Sequence, residues 1–213
     1  MKKVYTILIV IGALMMSCVN SDVTNKELEN EILQSLKLDL IQNLEDINSN
    51  INSLEISEQA NRMIIDHFKN KRPYQDSLDY HFANLYPYLV FSPNESTFNY
   101  IKQIGLSVIS NDSIRTSISD LYGVQYGIYK DYERIYFVEH YTNYIKPMFI
   151  AEFETFQFYR SFKPRAYDQF ANNIDYRRVM SYTADASQTF MFMQYGLKEK
   201  VEQLISQINN ETN

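Results

Sequence analysis

The sequence predicts an all-α fold, an irregular helical bundle with three long helices and several short ones, and three observations carry that prediction. Glycine and proline are scarce, five of each in 213 residues, which removes the turn residues that β architecture needs. Two long segments, one near each end of the chain, repeat apolar residues in steps of three and four. That spacing lines one face of a helix. Pro73, Pro87, Pro147 and Pro164 interrupt the stripes, so the helices must fold back on one another as a compact bundle instead of continuing as a rod.

The first long helix is expected to open at Thr24-x-x-Glu27, which has the form of a capping box. Its stripe is Leu28, Ile32, Leu36, Leu40, Leu44, Ile47, Ile51 and Leu54, with Asn43, Glu45, Asp46 and Asn48 on other faces. A second segment covers 57–70, with Ala60, Ile64 and Phe68 inward, and stops before Pro73. A shorter helix, about 76–86, carries Leu78, Phe82 and Leu85. Ser92-Pro93-Asn94-Glu95 offers the next start, with proline in the first turn where its missing N–H costs nothing. That helix ends near Gly105, a candidate left-handed cap.

Asn111 and Asp112 can cap the middle helix, which is expected to run to about Lys146. Ile114, Ile118, Leu121, Ile128, Tyr132 and Ile135 fall on one side of it, and Pro147 ends or kinks it. Residues 148–165 are dense in aromatics and fit either a helix or an extended piece. The last helix, about 175–209, has the stripe Val179, Tyr182, Ala186, Phe190, Met193, Leu197, Val201, Leu204 and Ile208.

The N-terminus carries a different signal. Lys2 and Lys3 precede an apolar run from Val4 to Met16, and Ser17-Cys18 follow. A basic start, an apolar stretch and a small residue make an export signal. The run is shorter than the ~20 residues a membrane-spanning helix needs. Leu14-Met15-Met16-Ser17-Cys18 resembles a bacterial lipobox, with Met15 where Leu or Val is usual. The expected division is 1–17 export signal, 18–23 lipid anchor and tether, and 24–213 a single helical domain. Several acyl chains on Cys18 would anchor stably where one is marginal. The competing reading is an uncleaved N-terminal membrane helix. Cys18 is the chain's one cysteine, so no intramolecular disulfide can form.

Net charge is −6, and removal of Lys2 and Lys3 leaves 18 basic against 26 acidic residues, or −8. That balance argues against nucleic acid, whose binding needs clustered cations to displace counterions. No Gly-rich phosphate loop or nucleophile elbow occurs, and His67, His81 and His140 lack the spacing that puts two metal ligands on one helical face. Glu133 with Glu139, and Glu152 with Glu154, are the nearest thing to acid–base pairs, yet nothing in their spacing distinguishes them from solvated surface charge. No catalytic residue, metal or cofactor is therefore expected.

The order of elements, the run Thr97-Phe98-Asn99-Tyr100-Ile101-Lys102-Gln103-Ile104-Gly105-Leu106-Ser107-Val108-Ile109-Ser110-Asn111-Asp112-Ser113-Ile114-Arg115, and the closing helix entered through Asn173-Ile174-Asp175-Tyr176-Arg177 and ending on Leu204-Ile205-x-x-Ile208 together resemble a family of small membrane-anchored proteins common in Bacteroidota. The family's signature has Ser-Gly where this chain has Ile104-Gly105, and its anchor is usually a full span. The resemblance covers nearly the whole chain. It implies an extracytoplasmic helical domain on an N-terminal membrane segment and transfers no catalytic residue.

Two further features are candidates for function. Tyr122, Tyr126, Tyr129, Tyr132 and Tyr136 recur at three- and four-residue steps, and Tyr141 and Tyr144 extend the density. They read either as a tyrosine-lined binding groove or as core filled by tyrosine in place of leucine. Asp76-Ser77-Leu78 and Asp112-Ser113-Ile114 look like the Asp-Ser/Thr-aliphatic sites that take O-linked sugars on exported Bacteroidota proteins, which makes Ser77 and Ser113 candidates. The function expected by elimination is an envelope lipoprotein facing the periplasm or exterior, a helical binding module for another envelope protein or a small ligand. The alternative is a structural spacer or oligomerising protein held by an uncleaved helix.

Overall fold

The computed structural model describes residues 25–89 and 91–212 with their side chains. The side chains of the export segment, Cys18, the tether and Thr24 lie outside the described residues, and the helix expected to open at Thr24 is already under way there, as part of a longer α1. Among the described residues the fold is all-α apart from one two-stranded hairpin. Three long helical stretches form the bundle: α1 (Lys2–Lys69), a run from Asp112 to Glu152, and α8 (Ile174–Thr212).

The break expected in α1 between 54 and 57 does not occur. Leu54-Glu55-Ile56-Ser57 contains neither glycine nor proline, and the buried stripe passes through it in phase, from Ile51 and Leu54 to Ala60 and Ile64. α1 ends in a Schellman arrangement. The Arg72 N–H donates to His67 O and the Lys71 N–H to Phe68 O, with Lys71 at φ 51° in the left-handed position usually filled by glycine.

α8 packs antiparallel along α1, the most extensive contact in the fold. Lys37 Nζ lies 3.0 Å from Asn209 Oδ1, and Tyr195 Oη donates to Glu55 Oε1 at 3.1 Å. The middle run is also antiparallel to α8: Asn111 meets Glu211, Lys200 meets Asp120, and His140 meets Thr183. α1 and the middle run therefore run in the same direction, opposite to α8.

A polar ladder on α1 fixes the irregular segment between the bundle's first two stretches. Asp39 Oδ2 accepts from the Thr97 N–H at 2.9 Å, and Asn43 Oδ1 from the Asn94 N–H at 2.6 Å. Further along, Ser57 Oγ and Asn61 Nδ2 both donate to Leu85 O, at 3.1 and 2.6 Å. Asn43, expected on an outer face, is fully buried. The ladder satisfies backbone groups that a buried loop would otherwise leave unpaired.

That segment holds α2 (Leu78–Ala83) and α3 (Ser96–Ile104). Pro93 lies outside α3, whose N-cap is Glu95, and Asn94 before it is tied to Asn43 and Gln42 on α1. Gly105 caps the C-terminus at φ 97°, as its position suggested, and a 3₁₀ turn (Leu106–Val108) follows. The ambiguous stretch 148–165 resolves into both options. Helix continues to Glu152, then β1 (Phe153–Gln157) and β2 (Ser161–Pro164) pair antiparallel. α7 (Tyr167–Asn172) leads into α8, which Asn173 caps by accepting the Asp175 and Tyr176 N–H groups. Phe68, Phe82, Phe153 and Phe170 meet edge-on or tilted at 5.3–6.5 Å and close this end of the bundle.

Candidate binding groove

The middle run is one helix with three π turns in it. α4 (Asp112–Asp120), α5 (Tyr126–Glu133) and α6 (Lys146–Glu152) are joined through π turns at Leu121–Gln125, Arg134–Val138 and Tyr141–Ile145. Each is closed by a backbone bond to the fifth residue back: Tyr126 to Leu121, Glu139 to Arg134, Lys146 to Tyr141. The sequence demands them. Buried or half-buried positions follow at 114, 118, 122, 126, 129, 133, 137, 141, 145 and 149. That is about nine turns over 35 residues (149 minus 114), where 3.6 residues per turn would use about 32. Three π turns, each adding roughly one residue, make up the difference and keep one face on the core.

The same phase shift overturns part of the inward face expected from an unbroken helical period. Ile114, Ile118 and Leu121, before the first π turn, are buried as expected. Ile128, Tyr132 and Ile135, beyond it, are 44%, 41% and 47% exposed. Pro147 neither ends nor sharply breaks the run. The π turn before it widens the helix at the place where a proline ring would meet the preceding turn.

The five candidate groove tyrosines divide. Tyr122, Tyr126 and Tyr129 are core residues, which corrects their assignment as groove lining. Tyr126 packs edge-on against Phe91 and Tyr122, and Tyr129 against Phe91 and Phe190. Burial pushes all three phenols above their ordinary pKa. Gln194, buried on α8, donates its amide to the Tyr129 hydroxyl. Tyr132 lies at the surface and Tyr136 is half-buried against the core, their rings stacked at 5.5 Å and 8°.

Those two open a groove that Tyr144 and Tyr182 continue. Between the middle run and α8 lies a cleft of about 480 Å³ lined by Ile135, Glu139, His140, Asn143, Tyr144, Arg178, Val179 and Tyr182. A second, of about 240 Å³, is lined by Tyr132, Tyr136, Tyr182, Asp185, Thr189 and Met193 among others. Tyr182 lines both, so the two clefts adjoin along the seam between the middle run and α8.

His140 sits in its floor, nearly fully buried, with its ring 4.6 Å from Tyr182 and 5.5 Å from Tyr144. Its Nε2 lies 2.9 Å from Thr183 Oγ1, and that hydroxyl donates to Val179 O at 2.9 Å. The threonine's one proton is thus committed, so Nε2 carries the hydrogen and donates. Burial lowers the imidazole pKa to about 4. The ring is neutral at pH 7, with Nδ1 as its acceptor.

The groove's charges are largely paired. Arg134 holds Glu139 at 2.8 Å, and Arg178 holds Asp175 at 3.1 Å. Glu133 is turned inward. Desolvation raises its carboxyl, opposed by the Phe91 N–H that donates to it. The other sequence candidates lie elsewhere. Ser77 and Ser113 are exposed, at the N-terminal ends of α2 and α4. Asn111, not Asp112, caps α4, accepting from the Ser113 and Ile114 N–H groups, while Asp112 pairs with Arg115. His67 donates to Pro73 O at 2.9 Å, and His81 lies beside Tyr80.

Sequence reasoning missed Tyr182 as a site residue by placing it in α8's core stripe. The first half of that stripe is turned by about one position. Met180, Thr183, Ala184 and Ser187 face inward, and Tyr182 is 47% exposed. The signal was available in Thr183, Ser187 and Gln194, three polar residues in helical phase with Phe190, Leu197 and Val201.

Comparison with known proteins finds no match: no family model, no curated protein and no solved structure aligns with the chain. Among the described residues no helix is long and apolar enough to cross a membrane.

Proposed function

We propose that this chain is an extracytoplasmic binding module, held to an envelope membrane by its N-terminus, whose tyrosine-lined groove takes up a ligand or a partner segment. The observation that carries this reading is the joining of two clefts at Tyr182. Concave, aromatic-lined surface with a few polar groups is what small-ligand sites are made of. Cys18 remains the proposed lipid site, with an uncleaved helix as its alternative, and Ser77 and Ser113 remain proposed O-glycosylation sites.

A photo-reactive side chain placed at Ile135, irradiated in intact cells, tests the module. The expected result is a reproducible added mass on the peptide carrying residue 135, lost when Tyr182→Ala is combined with it. Cross-links only to other copies of the chain would favour the spacer reading. That reading draws its support from α8, whose 39 residues extend about 58 Å at 1.5 Å per residue.

A further inference from the structure

We infer that the groove binds a neutral, linear oligosaccharide of two or more sugar units, an inference that rests on the binding-module reading. Shape comes first. The two clefts, of about 480 and 240 Å³, meet at one side chain and lie in line along the seam between the middle run and α8. A compact ligand would fill one of them, whereas a ligand built of repeating units would occupy both and cross Tyr182.

The walls specify the chemistry of each unit. Tyr132 and Tyr136 form a near-parallel stacked pair, and at the other end the Tyr144 and Tyr182 rings flank His140. A pyranose has an apolar face of C–H bonds ringed by hydroxyls. A phenol has an apolar face and a hydroxyl at its edge, so both parts of a sugar find a counterpart on each tyrosine. Asn143, Asp185 and Thr189 add uncharged or acceptor groups at the rim.

Charge excludes the main competitors. Glu139 and Arg178 are each engaged by an opposite charge on their own helix, and Asp185 is 3.4 Å from Arg62. His140 is neutral and donates inward to Thr183. Among the described residues the groove's lining cation, Arg178, sits beside Asp175, which offsets part of its pull on a phosphate or carboxylate. Its walls are helices, whose backbone groups are used internally, so an extended peptide would find no strand edge to pair with. An amphipathic helix needs a continuous apolar trough, and here Asn143, Arg178, Asp185 and Thr189 interrupt the apolar surface.

The test is calorimetric titration of the full-length protein in detergent with neutral linear probes. They are α-1,4-linked glucose, β-1,4-linked glucose and β-1,4-linked N-acetylglucosamine, each from one to four units, beside a random neutral hexapeptide pool. At least one sugar series is expected to bind, tightening by about tenfold from one unit to three, the worth of one added ring stack. Tyr182→Ala should weaken every length by about tenfold or more, and Tyr182→Phe by less. Tyr132→Ala should remove the gain with length. Both tyrosines are half-exposed, and a cooperative thermal unfolding transition verifies each variant's fold. A sugar series whose affinity ignores length overturns the inference. So does Tyr182-dependent binding of the peptides without binding of any sugar, although the binding module itself survives that result. Silence from every probe, together with no added mass at residue 135 in cells, removes both.

Discussion

Asn43 and Tyr126 meet in the middle of the bundle, amide to phenol, at 3.2 Å and 83 residues apart in sequence, with 0% and 1% of their surfaces exposed. Asn43 is a junction. Its amide also reaches Asn94 O at 3.2 Å, and its carbonyl accepts the Asn94 N–H at 2.6 Å. One α1 side chain thus ties both the 84–97 segment and the middle run to the same point. Replacing it with alanine opens a cavity and strands a backbone donor and acceptor. Buried orphaned groups cost about 1–3 kcal/mol each, so Asn43→Ala should lose about 3 kcal/mol or more in urea unfolding. A loss below about 1 kcal/mol, the net worth of a single hydrogen bond, would show that water replaces the amide freely.

The neighbouring phenols give a contrast of sign. Tyr126 uses its hydroxyl on Asn43, whereas the buried Tyr122 hydroxyl has no hydrogen-bond partner among the described residues. Tyr126→Phe should cost about 1 kcal/mol, and Tyr122→Phe should be neutral or stabilising, since it deletes a desolvated group that gains nothing back. Truncation to alanine separates core from groove in the same way. At Tyr126 or Tyr129 it should cost about 3–5 kcal/mol. At Tyr132 the change should cost no more than about 1.5 kcal/mol, the worth of its stack on Tyr136, as read from denaturation midpoints.

Much of the fold was legible because local signals and burial agree. The stripe from Ile32 to Leu54, the stop before Pro73, the Gly105 cap and the stripe from Phe190 to Ile208 all report packing through a regular helical period. The errors cluster where that period fails. Ile128 and Ile135 look inward only if about 3.6 residues per turn persists past Leu121, and the π turn at Leu121–Gln125 ends that. Asn43, Thr183 and Gln194 are buried for their hydrogen bonds, which a reading built on apolar residues passes over. The groove was half legible. Tyr132 and Tyr136 stood in the sequence as candidates. Tyr182 and His140 joined them only once the middle run and α8 were laid antiparallel.

Glycines at two kinds of position should respond oppositely to alanine. At Gly105 an added Cβ would meet nothing nearer than Ser107 Oγ at 3.6 Å, but the backbone is at φ 97°. Gly105→Ala therefore carries strain without a clash, about 1–3 kcal/mol. Gly127 and Gly196 are helical, and an added methyl at either would have open space for 4 Å around it. There alanine supplies helix propensity worth up to about 1 kcal/mol. Thermal melts should fall for the first substitution and rise for each of the other two.

His140 makes stability depend on pH in a defined window. Its imidazole pKa falls to about 4 in the folded protein, because burial disfavours the charged ring, against about 6.5 in an unfolded chain. Between those values the unfolded state binds a proton that the native state refuses, so stability is full above about pH 6.5 and declines as pH falls toward about 4. The ring borders an open cleft, and screening there reduces the loss to about 1–2 kcal/mol. The groups around it are Glu139 and Asn143 on its own helix, with Arg178 and Tyr182 from α8. Glu133 works the other way, since its raised carboxyl adds stability as pH falls. Comparison with His140→Gln separates the two. The variant should start less stable at about pH 7.5 and lose less on acidification to about pH 4.5, narrowing its gap to the parent protein. Unfolding curves that fall in parallel across that range would mean that the ring is protonated in the native state, and the donation to Thr183 would then no longer require a neutral imidazole.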